Sequence, residues 1–536
     1  MYERVLENWL DNAIETTFQI PFCQILIGQG HKIVHSTRHG PMEMGKDIIT
    51  EDVSGNLVAY QLKSCQGGRI TLSQFLKIQT QIIQLMTQGV NYPGHTGKRH
   101  HSFLVTNGNV EEEVTRAIDD LNRSYPDAIG FPIGIIQKGE LLSWAGQLEK
   151  NLWPSELEEI NRLLTLYLES GCDLLSLEKF HSLLEPIFGF NQSTRPDWSA
   201  PEVRRRIASA ALITSISLQS YEKKENHFAL LSGWILFSAY AMGMCERFEL
   251  DFEKTARAST EIAIEEIFLR LRSLCRELRE RTHYVEGNAL SDPFVYKGRF
   301  TLLVALMSVF WLWGIVDKRL SEEEDAFINS FIPSDLRALE FWGEGVLPQF
   351  LAYYWYSKNA PGKSQVDFGL LELLKFIAKI KNSEKLPASI FPSPYYSFEE
   401  VRRHLLRLND AIPLGGSDAG LADESFRQSS FFAESLFQLL VRTNFKQSCK
   451  ELWPEISKID SIKFVPEQRW EYYLWRAKSG REFVQQFPLR KEWEELKTEA
   501  FECSGEMIPP TMKDHIYLLL LFVILMPYRA TPEVVR

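Results

Sequence analysis

The segment "GKDIITEDVSGNLVAYQLKS", residues 45–64, holds three side chains of complementary chemistry: the carboxylate of Asp47, the amide of Gln61 and the ammonium of Lys63. Metal-assisted phosphodiester cleavage needs a carboxylate and further oxygen ligands for a divalent cation. It also needs a positioned water and a positive charge near the attacking or leaving oxygen. Residues i and i+2 of a strand project from one face, so Gln61 and Lys63 point together if "LVAYQLKS" is a strand. A hairpin through "VSGN" then brings Asp47 alongside. Lys63 stands in an otherwise apolar run, Leu57, Val58, Ala59, Tyr60 and Leu62. A lysine there is costly without a function or a partner. The plain alternative is a polar hairpin at a sheet edge, with Lys63 facing water.

These side chains need elements to position them. Val5, Leu6, Trp9, Leu10, Ile14, Phe18, Phe22, Ile25 and Leu26 recur at helical spacing and predict a first helix that ends at Gly28 and Gly30. "HKIVHSTR" reads as a strand, followed by the hairpin, and "TLSQFLKIQTQIIQLMTQ" reads as an amphipathic helix. "SFLVTNG" is a buried strand, and Asn107 or Asn109 opens the acid-led helix "VEEEVTRAIDDLNR". "FPIGIIQKGELLSWA" adds a strand and a helix start. The order predicts an α/β domain over 1–150, a mixed sheet flanked by helices.

"GKDI", followed about a dozen residues later by "YQLKS", resembles the Mrr-like restriction endonucleases of the PD-(D/E)xK nuclease superfamily, in the variant where glutamine replaces the second acid. The resemblance runs through the element order of 1–150 and implies a restriction-endonuclease-like fold. It places Asp47 and Gln61 as ligands of Mg²⁺ (or Mn²⁺) and Lys63 as the catalytic lysine. The family often adds an acid from its first helix. Glu15 is the choice here, Gln19 one turn later could replace it, and Glu43 lies on the approach to Asp47. His39 borders the same approach. The loop "GHTGKRHH" offers Lys98 and Arg99 to a phosphate backbone.

Composition narrows the rest. The chain has 536 residues, 45% of them hydrophobic and 24% charged, with a formal net charge of -11. Such a chain is folded and exceeds one ordinary core, and it is too acidic to coat nucleic acid through a broadly basic surface. Seven scattered cysteines without a CxxC pair read as reduced thiols, with neither a disulfide frame nor a zinc cage. His31, His35 and His39 lack the spacing of a zinc site on a helix. The acidic start "MYERVLENWLDNAIE" is unlike a signal peptide, so a cytoplasmic protein is expected. The apolar stretches 228–245 and 300–316 are read as core helices rather than membrane spans.

Beyond residue 150 the strong patterns have helical period, and Pro/Gly/Ser-rich breaks divide an expected all-α region into 151–385 and 386–536. Arg272, Arg276 and Arg279 share one helix face and would suit nucleic acid or an acidic partner. Tryptophans in this region suit packing first, then an interface with partner subunits or a second copy. The reading is a metal-dependent endonuclease acting on nucleic acid, with DNA the expected substrate. The resemblance implies an effector of a bacterial anti-phage defence or restriction system, whose helices control oligomerisation or partner binding. The alternative is a catalytically inactive nuclease-like scaffold or sensor subunit that binds protein partners or nucleic acid.

Overall fold

The computed structural model describes residues 2–36, 45–65, 68–148, 157–280, 293–360, 366–382, 397–399, 401–403, 429–476, 483–486, 492–502 and 508–530. Two compact units divide the chain, 1–265 and 266–536.

The first unit opens with two helices, α1 (Tyr2–Asn12) and α2 (Glu15–Gly28), where the apolar spacing predicts one. The strands are β1 (Lys32–Ser36), β2 (Ile48–Glu51), β3 (Leu57–Lys63), the short β4 (Arg69–Ile70), β5 (His100–Thr106), the short β6 (Asn109–Val110) and β7 (Ile133–Ile136). Helices α3 (Leu72–Thr87), α4 (Glu112–Ser124) and α5 (Lys138–Gln147) connect or follow them. The main sheet has the order β1-β2-β3-β5-β7. Its first three strands are antiparallel, whereas β3, β5 and β7 run parallel. The expected mixed sheet flanked by helices is present.

Local chemistry explains the hairpin and its flanks. Asp52 Oδ1 accepts hydrogen bonds from Ser54 N and Asn56 N at 2.8 and 2.9 Å, closing the turn between β2 and β3. Thr71 and Gln74 form a capping box at the start of α3. α4 begins after Glu111 rather than at an asparagine cap: Asn109 belongs to β6, and Asn107 is fully buried. Ala59 of β3 packs with Phe75 and Ile82 of α3 in one core cluster. Tyr60 packs edge-on to Phe22 of α2. Covering β3 from both sides removes apolar area from water, at about 25 cal/mol per Å².

The rest of this unit is helical, including Ala200–Ser217 and the apolar helix His227–Phe248. By length and composition His227–Phe248 and Phe294–Val316 could each cross a membrane, but 94% of the apolar window of the first is buried inside the protein. That burial suits a core helix.

The second unit is mostly helical, with Trp311 packed edge-on to Tyr356 and Trp313 stacked on Tyr517. Among the described residues it departs from the expected all-α pattern in a small sheet. Ser429–Ser430, Asp460–Phe464 and Phe483–Gln486 form a three-stranded sheet, and Arg469–Tyr473 is a 3₁₀ turn. Two to five residues per strand are too few to outweigh the helical periodicity around them. The arginine face is also used internally: Arg272 pairs with Glu324 and Arg279 with Glu323, each at 2.8 Å.

Candidate active site

Asp47 sits at the mouth of β2, where its N–H donates to Tyr60 O at 2.8 Å. Ile48 faces Tyr60 across the ladder, so Asp47 falls beside Gln61 at the end where β3 finishes. Gly45 explains the approach. Its φ is +76°, and a Cβ there would lie 2.3 Å from Gln81 O of α3. Glycine therefore lets the chain enter β2 pressed against that helix.

Within this corner the side chains form two pairs. Gln61 Nε2 donates to Asp47 Oδ2 at 2.6 Å, and Leu62 N donates to the same oxygen at 2.6 Å. Asp47 is 9% exposed and Gln61 3%. Lys63 Nζ bridges to both carboxylate oxygens of Glu15, at 3.0 and 3.2 Å. Their side chains keep 20% and 27% of their exposure, so the pair is reachable from solvent. Glu15 occupies the first turn of α2, where the helix dipole favours a carboxylate.

The structure thus brings together Asp47, Gln61, Lys63 and Glu15. Gln19 is buried, and its Nε2 donates to Ser36 Oγ at 3.0 Å, on the β1 residue that pairs with Ile48 next to Asp47. Glu43 and His39 lie outside the described residues. Lys98 and Arg99 are exposed but precede His100, which pairs with Leu57 at the far end of β3 from Lys63. Six residues of strand separate the two ends, about 20 Å at the usual rise per residue. The loop carrying them instead neighbours the β2–β3 turn, with His95 Nδ1 3.7 Å from Glu51 Oε1.

Two residues near the site escape a reading of sequence alone. Lys46 is 2% exposed, and burial pushes its ammonium down to about 8. Asn107 follows the last residue of β5, and its side chain meets α1, the α1–α2 joint and the end of β3. The only available signal was the "TNG" that ends a buried strand beside the motif strand, and that reads equally well as a helix cap.

A metal-ion fit can be judged from the donors. Asp47, Gln61 and Glu15 offer only oxygen ligands, the set a hard divalent cation prefers. Among the described residues no group of three or more His, Cys, Asp or Glu side chains is placed to hold a metal ion. The fit therefore depends on the amide oxygen of Gln61 and on two carboxylates. Gln61 would also have to present its oxygen where its nitrogen now faces Asp47. Compared with known proteins, the chain matches no protein-family model, no curated protein and no solved structure.

Proposed function

We propose that the sheet domain is a metal-dependent endonuclease with a restriction-endonuclease-like fold, and that DNA is its substrate. The observation that carries this reading is the convergence of Asp47, Gln61, Lys63 and Glu15 at the end of β3, drawn from three separate elements. Asp47, Gln61 and Glu15 would hold Mg²⁺ or Mn²⁺, which supplies Lewis-acid polarisation of a phosphate oxygen when bound. Lys63, with Glu15 holding its ammonium in place, orients the attacking water and offsets charge that develops on the phosphate. Leu62 N holds the Asp47 carboxylate from the backbone, while the Gln61 amide would turn its oxygen toward the ion.

The net charge of -11 suits an effector brought to its substrate by partner subunits better than one that scans DNA unaided. The helical remainder would serve that recruitment or self-assembly, in the cytoplasm, as part of a defence or restriction system.

One observation favours a second reading. Asp47 is already hydrogen-bonded to Gln61, and Glu15 is ion-paired with Lys63, so each carboxylate has a protein partner without a metal ion. On that reading the domain is an inactive binding module of a scaffold or sensor subunit.

The test incubates the full-length protein, alone and with the products of neighbouring genes, with plasmid and Mg²⁺ or Mn²⁺, beside Lys63→Ala. Metal-dependent cleavage lost in Lys63→Ala supports the nuclease. Cleavage that persists in the variant removes this site, and no cleavage under any of these conditions favours the scaffold.

A further inference from the structure

We infer that Asn107 is a positioning residue that sets the geometry of the Glu15–Lys63 pair. Its meaning for catalysis rests on the nuclease reading above; its effect on the pair does not.

Asn107 is fully buried directly after β5, whose last residue, Thr106, lies opposite Lys63 in the parallel ladder. Its Nδ2 donates to Leu10 O at 2.7 Å and to Ala13 O at 2.8 Å, with Ser64 Oγ at 3.3 Å. Its Oδ1 accepts from Cys65 N at 2.9 Å. Ser64 Oγ donates to the same Ala13 carbonyl at 2.7 Å.

These contacts fall next to both members of the pair. Ala13 is two residues before Glu15, while Ser64 and Cys65 directly follow Lys63. The Leu10 carbonyl, in the last turn of α1, accepts only a 3.2 Å bond from Ala13 N within its own backbone, and the Ala13 carbonyl lies just past the helix end, where acceptors need partners from elsewhere. Asn107 satisfies them from outside, which stabilises the end of α1 and allows α2 to start afresh at Glu15. One amide thus joins the joint that launches Glu15 to the strand end that carries Lys63.

The side chain has no slack for this role. It uses both donor hydrogens and its acceptor in a buried site, and such a group tolerates little displacement before a bond is lost. Gly108 keeps the next residue equally close: a Cβ there would lie 2.1 Å from Cys65 Sγ and 2.5 Å from Gly68 O. An aspartate at 107 keeps the acceptor for Cys65 N but turns a carboxylate oxygen toward the Leu10 and Ala13 carbonyls. That change opens the joint on the Glu15 side.

The test reads the pair without relying on cleavage. Full-length protein is treated with a limiting amine-acylating reagent, and Lys63 modification is measured by mass spectrometry relative to exposed Lys32. Glu15→Gln, which removes the partner charge, sets the scale, with an expected rise of at least threefold. Asn107→Asp is expected to give a comparable rise, and Ser64→Ala, which removes one of the two bonds onto Ala13 O, a smaller one.

A folded Asn107→Asp protein that labels Lys63 at the wild-type rate would overturn the inference, whatever its loss of thermal stability. If Asn107→Asp does not fold, Ser64→Ala decides: a rise supports the inference, and a wild-type rate overturns it. Parallel Mn²⁺-dependent cleavage by the wild type reports on the nuclease reading separately. Its failure would leave the labelling result intact.

Discussion

Lys63 Nζ lies 3.0 Å from Glu15 Oε1, a contact between the last residue of β3 and the first of α2 that spans 48 positions of chain. Partly exposed ion pairs add about 0–1 kcal/mol to stability. Removing either partner should therefore cost little in folding. Lys63→Ala is expected to lower plasmid cleavage at least about a hundredfold, the scale of losing one preorganised charge-stabilising group. Its unfolding midpoint in urea should stay close to wild type. A midpoint that collapses together with activity would mark Lys63 as structural.

Asp47 behaves differently because it is buried and accepts two short bonds at one oxygen. Asp47→Asn weakens both by removing the charge and is expected to cost about 1–3 kcal/mol in urea unfolding, along with cleavage. Unchanged stability would mean that the Gln61 and Leu62 bonds contribute little.

Gln61→Glu places an acid beside Asp47. In the divalent-free protein it sets a second carboxylate against Asp47, 2.6 Å from the present amide nitrogen. Like charges at that range raise the pKa of one of them and destabilise the site. The variant should lose about 1–3 kcal/mol at pH 8 in chelator, and Mn²⁺ should raise its melting temperature more than it raises that of the wild type. Equal Mn²⁺ responses would count against metal binding between these side chains.

Lys46 supplies a pH test of the same corner. Its folded value, about 8, lies below its ordinary 10.5. Between those values the unfolded chain holds more protons than the folded one, so stability rises with pH across that window. Below pH 8 the burial cost is fully present, and the difference corresponds to about 3 kcal/mol. Urea unfolding from pH 7.5 to 10 should show the rise in wild type and a flatter profile in Lys46→Met. Parallel profiles would remove Lys46 as the cause.

In the second unit, Glu344 Oε1 lies 3.1 Å from Lys381 Nζ, with the two side chains 1% and 3% exposed. Glu344 Oε2 accepts from Phe431 N at 2.9 Å. Lys381→Met leaves a buried carboxylate without its counter-charge and is expected to cost about 3–5 kcal/mol. The double variant Lys381→Met/Glu344→Gln should recover part of that loss, as a thermodynamic cycle in denaturant would show.

The hairpin and the shared face of Gln61 and Lys63 were legible in sequence because both follow from short-range rules. Strand alternation has period two, and Asp52, Ser54 and Gly55 encode the turn within a few residues. The choice among Glu15, Gln19 and Glu43 was not legible. Helical spacing runs without interruption from Leu10 to Phe18, so nothing local announces the break at Ala13 and Ile14.

That break is stabilised by Asn107, which lies 97 and 94 residues from the carbonyls it satisfies. The same limit applies to Lys98 and Arg99. Their charge is visible in the sequence, but only the parallel register of β3 and β5 puts them at the end away from Lys63. The sequence by itself determined that Gln61 and Lys63 share one strand beside Asp47, since backbone geometry and turn preference act between neighbours. The tertiary structure alone brought Glu15 to Lys63, because hydrogen bonds between distant segments set the start of α2 and no periodic pattern along the chain records them.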